Sequence, residues 1–321
     1  MNYLTFLPWV FTSYMFRVNL WLSLFKWFVI FISNTFLLFS LQLKADELTV
    51  VYPVVKPPYD EIFNQIRDGI AEGFPGQISE LKLANKFETE FVKKQIKTHK
   101  VIALGKGGWI VAKQINQSKS VVVGALPIQP DELSGISLVA SPKSLFSSLK
   151  SLAPTVKKII VLYSSSSSWN VEQAKNDAIQ MEYQLEAIRV NNIQEAVQAY
   201  DNLFSVTNLA DTAIWLPLDP ITANDKIIVP IILEKAWSHK VVVFSSKPNH
   251  ARRGALFAAV PDNKFIGMEL VNLLNQLDVQ QKPIVKPMKV IKLAVNLRTA
   301  AHLGLNYSNK QKANFAFTFP E

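Results

Sequence analysis

The sequence predicts an α/β protein of two Rossmann-like lobes, each built on a parallel sheet and joined by a hinge. From Asp46 onward, short apolar runs alternate with amphipathic helical stretches, the rhythm of strands connected by covering helices. The rhythm comes as two similar series, separated by a stretch over 125–142 that carries Pro127, Pro130 and Pro142. At 321 residues, 49% hydrophobic and 18% charged, the chain is long enough for two ordinary domains and apolar enough to bury a core in each.

The first series opens with Leu-Thr-Val-Val-Tyr at 48–52, a buried strand stopped by Pro53, Pro57 and Pro58. A helix over 59–73 then sets Ile62, Phe63, Ile66 and Ile70 on one face. Strand 78–83 leads to a helix with Phe87, Phe91 and Ile96. Strand 101–104 leads to one with Ile110, Val111 and Ile115, and 120–124 is the fourth strand. This spacing implies a parallel sheet covered on both faces. The proline-rich stretch holds a short strand at 136–139 and ends at Ser141-Pro142. That pair is an N-cap followed by proline at the first helical position, starting a helix to Leu152. Here the chain is expected to cross between lobes for the first time.

The second series begins with strand 158–163, a serine loop at 164–168, and a helix capped by Asn170 that runs to Glu182. Strand 185–190 follows. Asn192 and Glu195 then form a capping-box-like start to a helix reaching Phe204. Between strands 212–216 and 240–244, Pro230 splits or restarts a helix. A strand at 255–259, a helix at 264–277, a strand at 290–293 and a short helix at 297–303 complete the pattern.

The first acidic residue is Asp46, and the segment before it has the layout of an export signal. Met15 reads as the start, Arg17 and Lys26 as the positive region, 27–41 as the apolar stretch and 42–45 as the cleavage region. The alternative is an uncleaved anchor, since 27–43 reaches the short end of the roughly 17–25 residues that span a bilayer. With 0 cysteines there is no disulfide, thiolate metal site, cysteine nucleophile or lipid-attachment cysteine. An exported protein without a lipid is retained by a second membrane, so a periplasmic location is expected. The formal charge is +9; without Arg17, Lys26 and Lys44 it is +6, from 31 Lys+Arg against 25 Asp+Glu. These lysines scatter along helices as on a solvated surface. No basic helix or aromatic-interleaved stripe indicates nucleic acid.

No motif carries catalysis. G-x-S-x-G is absent, and His99, His239, His250 and His302 lie far apart without metal-ligand spacing. The Asp60-Glu61 and Asp131-Glu132 pairs read as solvated charges, and Arg252-Arg253 as facing water. Neither metal nor cofactor is expected. The candidates are therefore binding residues. Gly105, Lys106, Gly107 and Gly108 lie between a strand and a helix, where backbone N–H groups can hold a phosphate. The run matches neither the P-loop nor the dinucleotide fingerprint, and a turn needing positive φ explains it equally. At the corresponding place in the second series stand Ser166, its serine neighbours, Trp169 and Asn170. Small hydroxyls and amides before a helix suit a polar ligand end on which Trp169 stacks, or equally a surface loop with a cap. Asp219 follows strand 212–216 at the edge where α/β sheets bind ligands. It is suited to pair a ligand amine, or is only a turn residue before Pro220.

Several segments carry a family resemblance by their order and spacing. They are Ala-Ile-Trp-Leu-Pro-Leu-Asp at 213–219, Val-Val-Val-Phe at 241–244, Gly-Ala-Leu-Phe-Ala at 254–258 with Gly267, and Val-Asn-Leu-Arg-Thr-Ala-Ala-His-Leu-Gly-Leu at 295–305. Together they resemble the ABC-transporter substrate-binding family that includes tryptophan- and tyrosine-binding proteins and has the type I periplasmic-binding fold. The resemblance covers about 48–305 and is most specific after Ala213. It implies a monomeric periplasmic protein that closes on a small, amino-acid-like ligand between two lobes and docks on an ABC permease or other inner-membrane partner. One lobe would comprise 46–141 plus 247–283, the other 142–246 plus 284–321, with three crossings between them. Tyr59, the turn at Gly105 to Gly108, Pro127, Ser166, Asn170, Asp219 and Ser245 would face the cleft. Two segments depart from the family pattern. Gly105-Lys106-Gly107-Gly108-Trp109 replaces a Thr-Pro-Ala-type turn, and Leu126-Pro127-Ile128 stands where an Asp-Pro step is common. An alternative within the same fold is a sensory or interaction module held by an uncleaved N-terminal helix.

Overall fold

The computed structural model describes residues 46–130, 133–205, 209–277 and 282–320. The expected export segment and the Asp131-Glu132 pair lie outside the described residues. No helix among the described residues is long and apolar enough to cross a membrane.

The first series forms β1 (Glu47–Pro53), α1 (Tyr59–Gly73), β2 (Gln77–Leu83), α2 (Thr89–Gln95), β3 (Lys100–Leu104), α3 (Gly105–Ile115), β4 (Ser120–Gly124) and β5 (Ser134–Ala140). The second forms α4 (Pro142–Leu152), β6 (Lys158–Tyr163), α5 (Ser168–Gln180), β7 (Gln184–Arg189), α6 (Ile193–Ser205), β8 (Thr212–Leu216), α7 (Ile228–His239), β9 (Val242–Ser245), α8 (Asn249–Arg253) and β10 (Phe257–Pro261). The remainder comprises α9 (Asn263–Gln276), β11 (Val285–Met288), β12 (Ile291–Asn296), α10 (Leu297–His302), α11 (Asn309–Ala313) and β13 (Phe317–Phe319).

Two sheets result, ordered β11-β5-β4-β3-β1-β2 and β13-β12-β10-β9-β8-β6-β7. The first is parallel throughout. In the second, β12 runs antiparallel to β10 and the other pairs are parallel, so both sheets are mostly parallel, as expected. The central strands β3, β6, β8 and β9 are apolar along nearly their whole length because helices cover both faces. Outer strands β2 and β7 keep only the half-buried pattern of a sheet margin.

The chain passes three times between the sheets, and two of the passages differ in place from the expected lobe boundaries. The first lies at Ser141, as the Ser-Pro step suggests. The boundary expected between Ser246 and Lys247 lies after Pro261, because β10 pairs with β9 and β12 in the second sheet. The boundary expected after Pro283 lies after Met288, because β11 joins β5 in the first sheet. β11 went unread because its four residues include Lys286 and Pro287; proline is tolerated on such an edge strand.

Helix α9 returns to the first lobe and lies directly on α1. A Cβ on Gly69 would sit 1.9 Å from the Lys264 carbonyl oxygen, and one on Gly267 would sit 2.0 Å from that of Ile66. The two backbones therefore touch, and only glycine fits. Under α4, Phe146 meets Trp215 edge-on at 5.8 Å, and Trp215 stacks with Phe244 at 6.4 Å. These rings belong to a buried cluster that also takes in Leu48, Ile66 and Leu270 of the first lobe. From Glu47 on, the chain forms one compact unit.

Candidate functional site

In each sheet the strand order reverses once, between β1 and β3 and between β6 and β8. Loops leaving the carboxyl ends of strands on either side of such a point diverge and leave a crevice. A cavity of about 620 Å³ lies at the carboxyl ends of β4, β6, β8 and β9, with walls from both lobes. The first lobe contributes Pro127, Ile128 and Gln129 after β4, and Val139 of β5. The second contributes Ser166 and Trp169 after β6, Pro217 to Pro220 after β8, and Asn224 to Lys226 with Lys247 and His250 beyond. Part of its lining is apolar and part is charged.

Asp219 holds the second lobe's wall together. Its Oδ2 accepts from Ser164 N (2.8 Å), Ser164 Oγ (2.8 Å) and Ser167 Oγ (2.5 Å). Its Oδ1 accepts from Ile221 N (2.9 Å) and Thr222 N (3.1 Å). Burial raises its pKa, but the hydrogen bonds from Ser167 and Ser164 outweigh that and hold it below the ordinary carboxylate value. The residue thus ties the β6 loop to the β8 loop across the switch point. Five donors occupy the lone-pair sites of one carboxylate, so Asp219 braces this wall.

A second cluster forms the charged part. His250 is fully buried, with Nδ1 2.7 Å from Ser245 Oγ and Nε2 2.9 Å from Asp225 Oδ1. Asp225 Oδ2 is bonded by Lys247 Nζ, and Arg253 Nη1 lies 3.5 Å from Oδ1. A carboxylate only accepts, so Nε2 carries the proton; Nδ1 of the neutral ring is then an acceptor, and the one Ser245 hydroxyl proton serves it and Leu216 O, 3.2 Å away. Ser245 Oγ also accepts from Lys247 N at 3.0 Å. The Ser–His–Asp order is that of a triad with the ring reversed, and Ser245 is 0% exposed, so its hydroxyl does not reach the cavity.

Burial lowers the His250 pKa, Asp225 raises it, and Lys247 and Arg253 lower it further; the net displacement is downward. The neutral ring is the folded form. Folding stability tied to His250 is therefore full above the ordinary imidazole value of about 6.5 and is lost as pH falls toward the lower folded value. Urea unfolding between pH 7 and pH 5 should show a fall in stability that is shallower in His250→Gln. An equal fall in both proteins would remove His250 from the account.

The structure brings only part of the sequence-predicted set to the cavity. Pro127, Ser166, Trp169 and Asp219 line it. Ser245 lies behind the wall against His250. Asn170 is inside the first turn of α5 rather than its cap; Ser167 holds the cap position. Its Nδ2 donates to Ala140 O at 3.1 Å, tying α5 to the first crossing, and its buried Oδ1 has no partner among the described residues. Tyr59 stands 65% exposed at the start of α1, apart from the cavity. Gly105, Lys106, Gly107 and Gly108 form the first turn of α3 and are not part of the cavity lining. Gly105 has φ +69°, and a Cβ on Gly108 would meet Ala103 C at 2.9 Å, so packing of helix on strand accounts for the glycines. Sequence reasoning missed Ile128, Val139, Asn224, Asp225, Lys226, Lys247 and His250. Their only local signal was position after β4, β8 and β9. The Asn296 motif proves to be a brace: its Oδ1 caps Thr299 N at 2.8 Å and its Nδ2 reaches Ala251 O at 2.9 Å.

The family model described as ABC transporter substrate binding protein matches residues 93–314. No sequence among the curated proteins matches this chain. Among solved structures, a ligand-free, open substrate-binding protein with adhesive properties from Clostridium difficile superposes with a TM-score of 0.57 at 17% identity, over 85% of this chain and 98% of that one. A domain in complex with L-Trp from Streptococcus pneumonia gives 0.49 at 20% identity, over 86% and 100%. A conserved domain protein from Vibrio cholerae gives 0.48 at 16%, again over 86% and 100%. Such identities establish fold alone, and with the two-sheet topology that fold is the type I periplasmic-binding one.

Proposed function

This chain belongs to the ABC-transporter substrate-binding protein family, and on that premise we propose that it is the periplasmic solute-binding component of an ABC-type uptake system. It takes a small organic ligand of amino-acid size between its lobes without chemical change, and its closed form docks on an inner-membrane permease. One observation carries this reading: a single cavity has Pro127, Ile128, Gln129 and Val139 on one side and Trp169 with Pro217 to Pro220 on the other. A ligand touching both lobes binds the closed arrangement better than the open one, and closure follows from that difference in affinity. Ser245, the one serine hydrogen-bonded to the site's histidine, has no access to such a ligand, which supports binding over turnover.

Thermal unfolding with amino acids, peptides, nucleosides and organic acids tests the proposal. A ligand at a hundred times its Kd should stabilise the folded chain by about 2.7 kcal/mol. No stabilisation by any class in a well-folded sample would overturn it. Trp169→Ala should weaken whichever ligand binds by about 2 kcal/mol, roughly thirtyfold, as expected for an aromatic wall residue. Titration of the variant with unchanged affinity would place the ligand elsewhere.

A further inference from the structure

The hydrogen-bonding balance of the cavity points to its ligand class: the geometry assigns it a small organic acid with an apolar body and no cationic group. This rests on the proposed binding role. A zwitterionic amino acid needs a negative group for its ammonium, and the described residues of the cavity supply two carboxylates, Asp219 and Asp225. Asp219 already accepts five hydrogen bonds. Asp225 is shared among Lys247, His250 and Arg253. The Asn224 side-chain oxygen accepts from Lys226 N at 3.0 Å and Ile227 N at 3.1 Å. Gln129 offers an amide, which carries no charge to balance an ammonium. Desolvating a ligand ammonium here without a counter-charge is strongly unfavourable.

The opposite sign is provided for. Lys226 lines the cavity, is exposed, and stands in no ion pair among the described residues. Its ammonium has three donors and can hold a carboxylate through charge-assisted hydrogen bonds. Ile128, Val139, Trp169, Leu218 and Ala223 form the apolar part of the wall. One end of the ligand is therefore anionic and the rest hydrocarbon.

Calorimetric titration of the full chain with matched probes tests this. On a phenyl frame the probes are 3-phenylpropionate, phenylalanine and phenethylamine; on a branched frame they are 4-methylpentanoate, leucine and isoamylamine. At least one acid should bind about tenfold or more tightly than its amino acid, and the amines should give no binding. Lys226→Gln, an exposed change that should leave the unliganded melting temperature unaltered, should weaken the acid by about tenfold or more. An amino acid or amine that equals its acid would overturn the assignment while leaving the cleft reading intact. So would Lys226→Gln with wild-type affinity for the acid. Silence from all six probes would also overturn it, and the wider ligand panel then judges the binding role separately.

Discussion

Asp219→Ala is expected to destabilise the protein by about 3–5 kcal/mol, because it takes the acceptor from N–H and O–H donors of four residues, three of them buried. The donors are Ser164, Ser167, Ile221 and Thr222, and Asp219 itself is 4% exposed. Asp219→Asn should cost less, about 2 kcal/mol, since an amide oxygen still serves the two backbone N–H groups beyond it while its NH2 opposes Ser164 N–H. Urea unfolding at pH 7 measures both. The acid limb gives a second readout. With its folded pKa held low, the contribution of Asp219 is full above the unfolded carboxylate range and disappears as pH falls through that range to the folded value. Asp219→Asn should flatten this limb. If Asp219→Ala unfolded at wild-type urea concentrations, the residue would be an ornament of the loop and not its brace.

Gly267→Ala and Gly69→Ala should each cost about 3 kcal/mol, as over-packing at a rigid backbone contact does. The added methyl would lie about 2 Å from a carbonyl oxygen of the opposite helix, so α1 and α9 must separate. For a chain of this size the melting temperature should drop by roughly 10 °C, at about 2–4 °C per kcal/mol. Gly73→Ala is the control. Its nearest neighbours would be 3.5 Å away, ordinary contact, so it should lose nothing. Equal melting temperatures for all three variants would show that the helices yield without cost.

The alternation of strand and helix was legible because its cause is local. Residues such as Val161, Ile214 and Val243 lie in runs buried on both faces, and α1 repeats its apolar residues at helical spacing. Caps were legible for the same reason: Glu195 N bonds Asn192 Oδ1 at 2.8 Å, within one turn. Asn170 misled because a good capping residue was used instead to reach Ala140, thirty residues back in the chain. The glycine run left two readings open because a phosphate cradle and a close helix-to-strand contact demand the same residue.

By itself, the order of residues determined the α/β class, the two series and the proline step at Ser141, since each follows from contacts within a few residues. Only the tertiary structure decided which sheet receives β10 and β11, that Asp219 ties the β6 loop to the β8 loop, and that Asp225, Lys247 and His250 meet beside Lys226. Those outcomes depend on side chains far apart in sequence competing for the same hydrogen bonds, and such competition leaves no periodic trace along the chain.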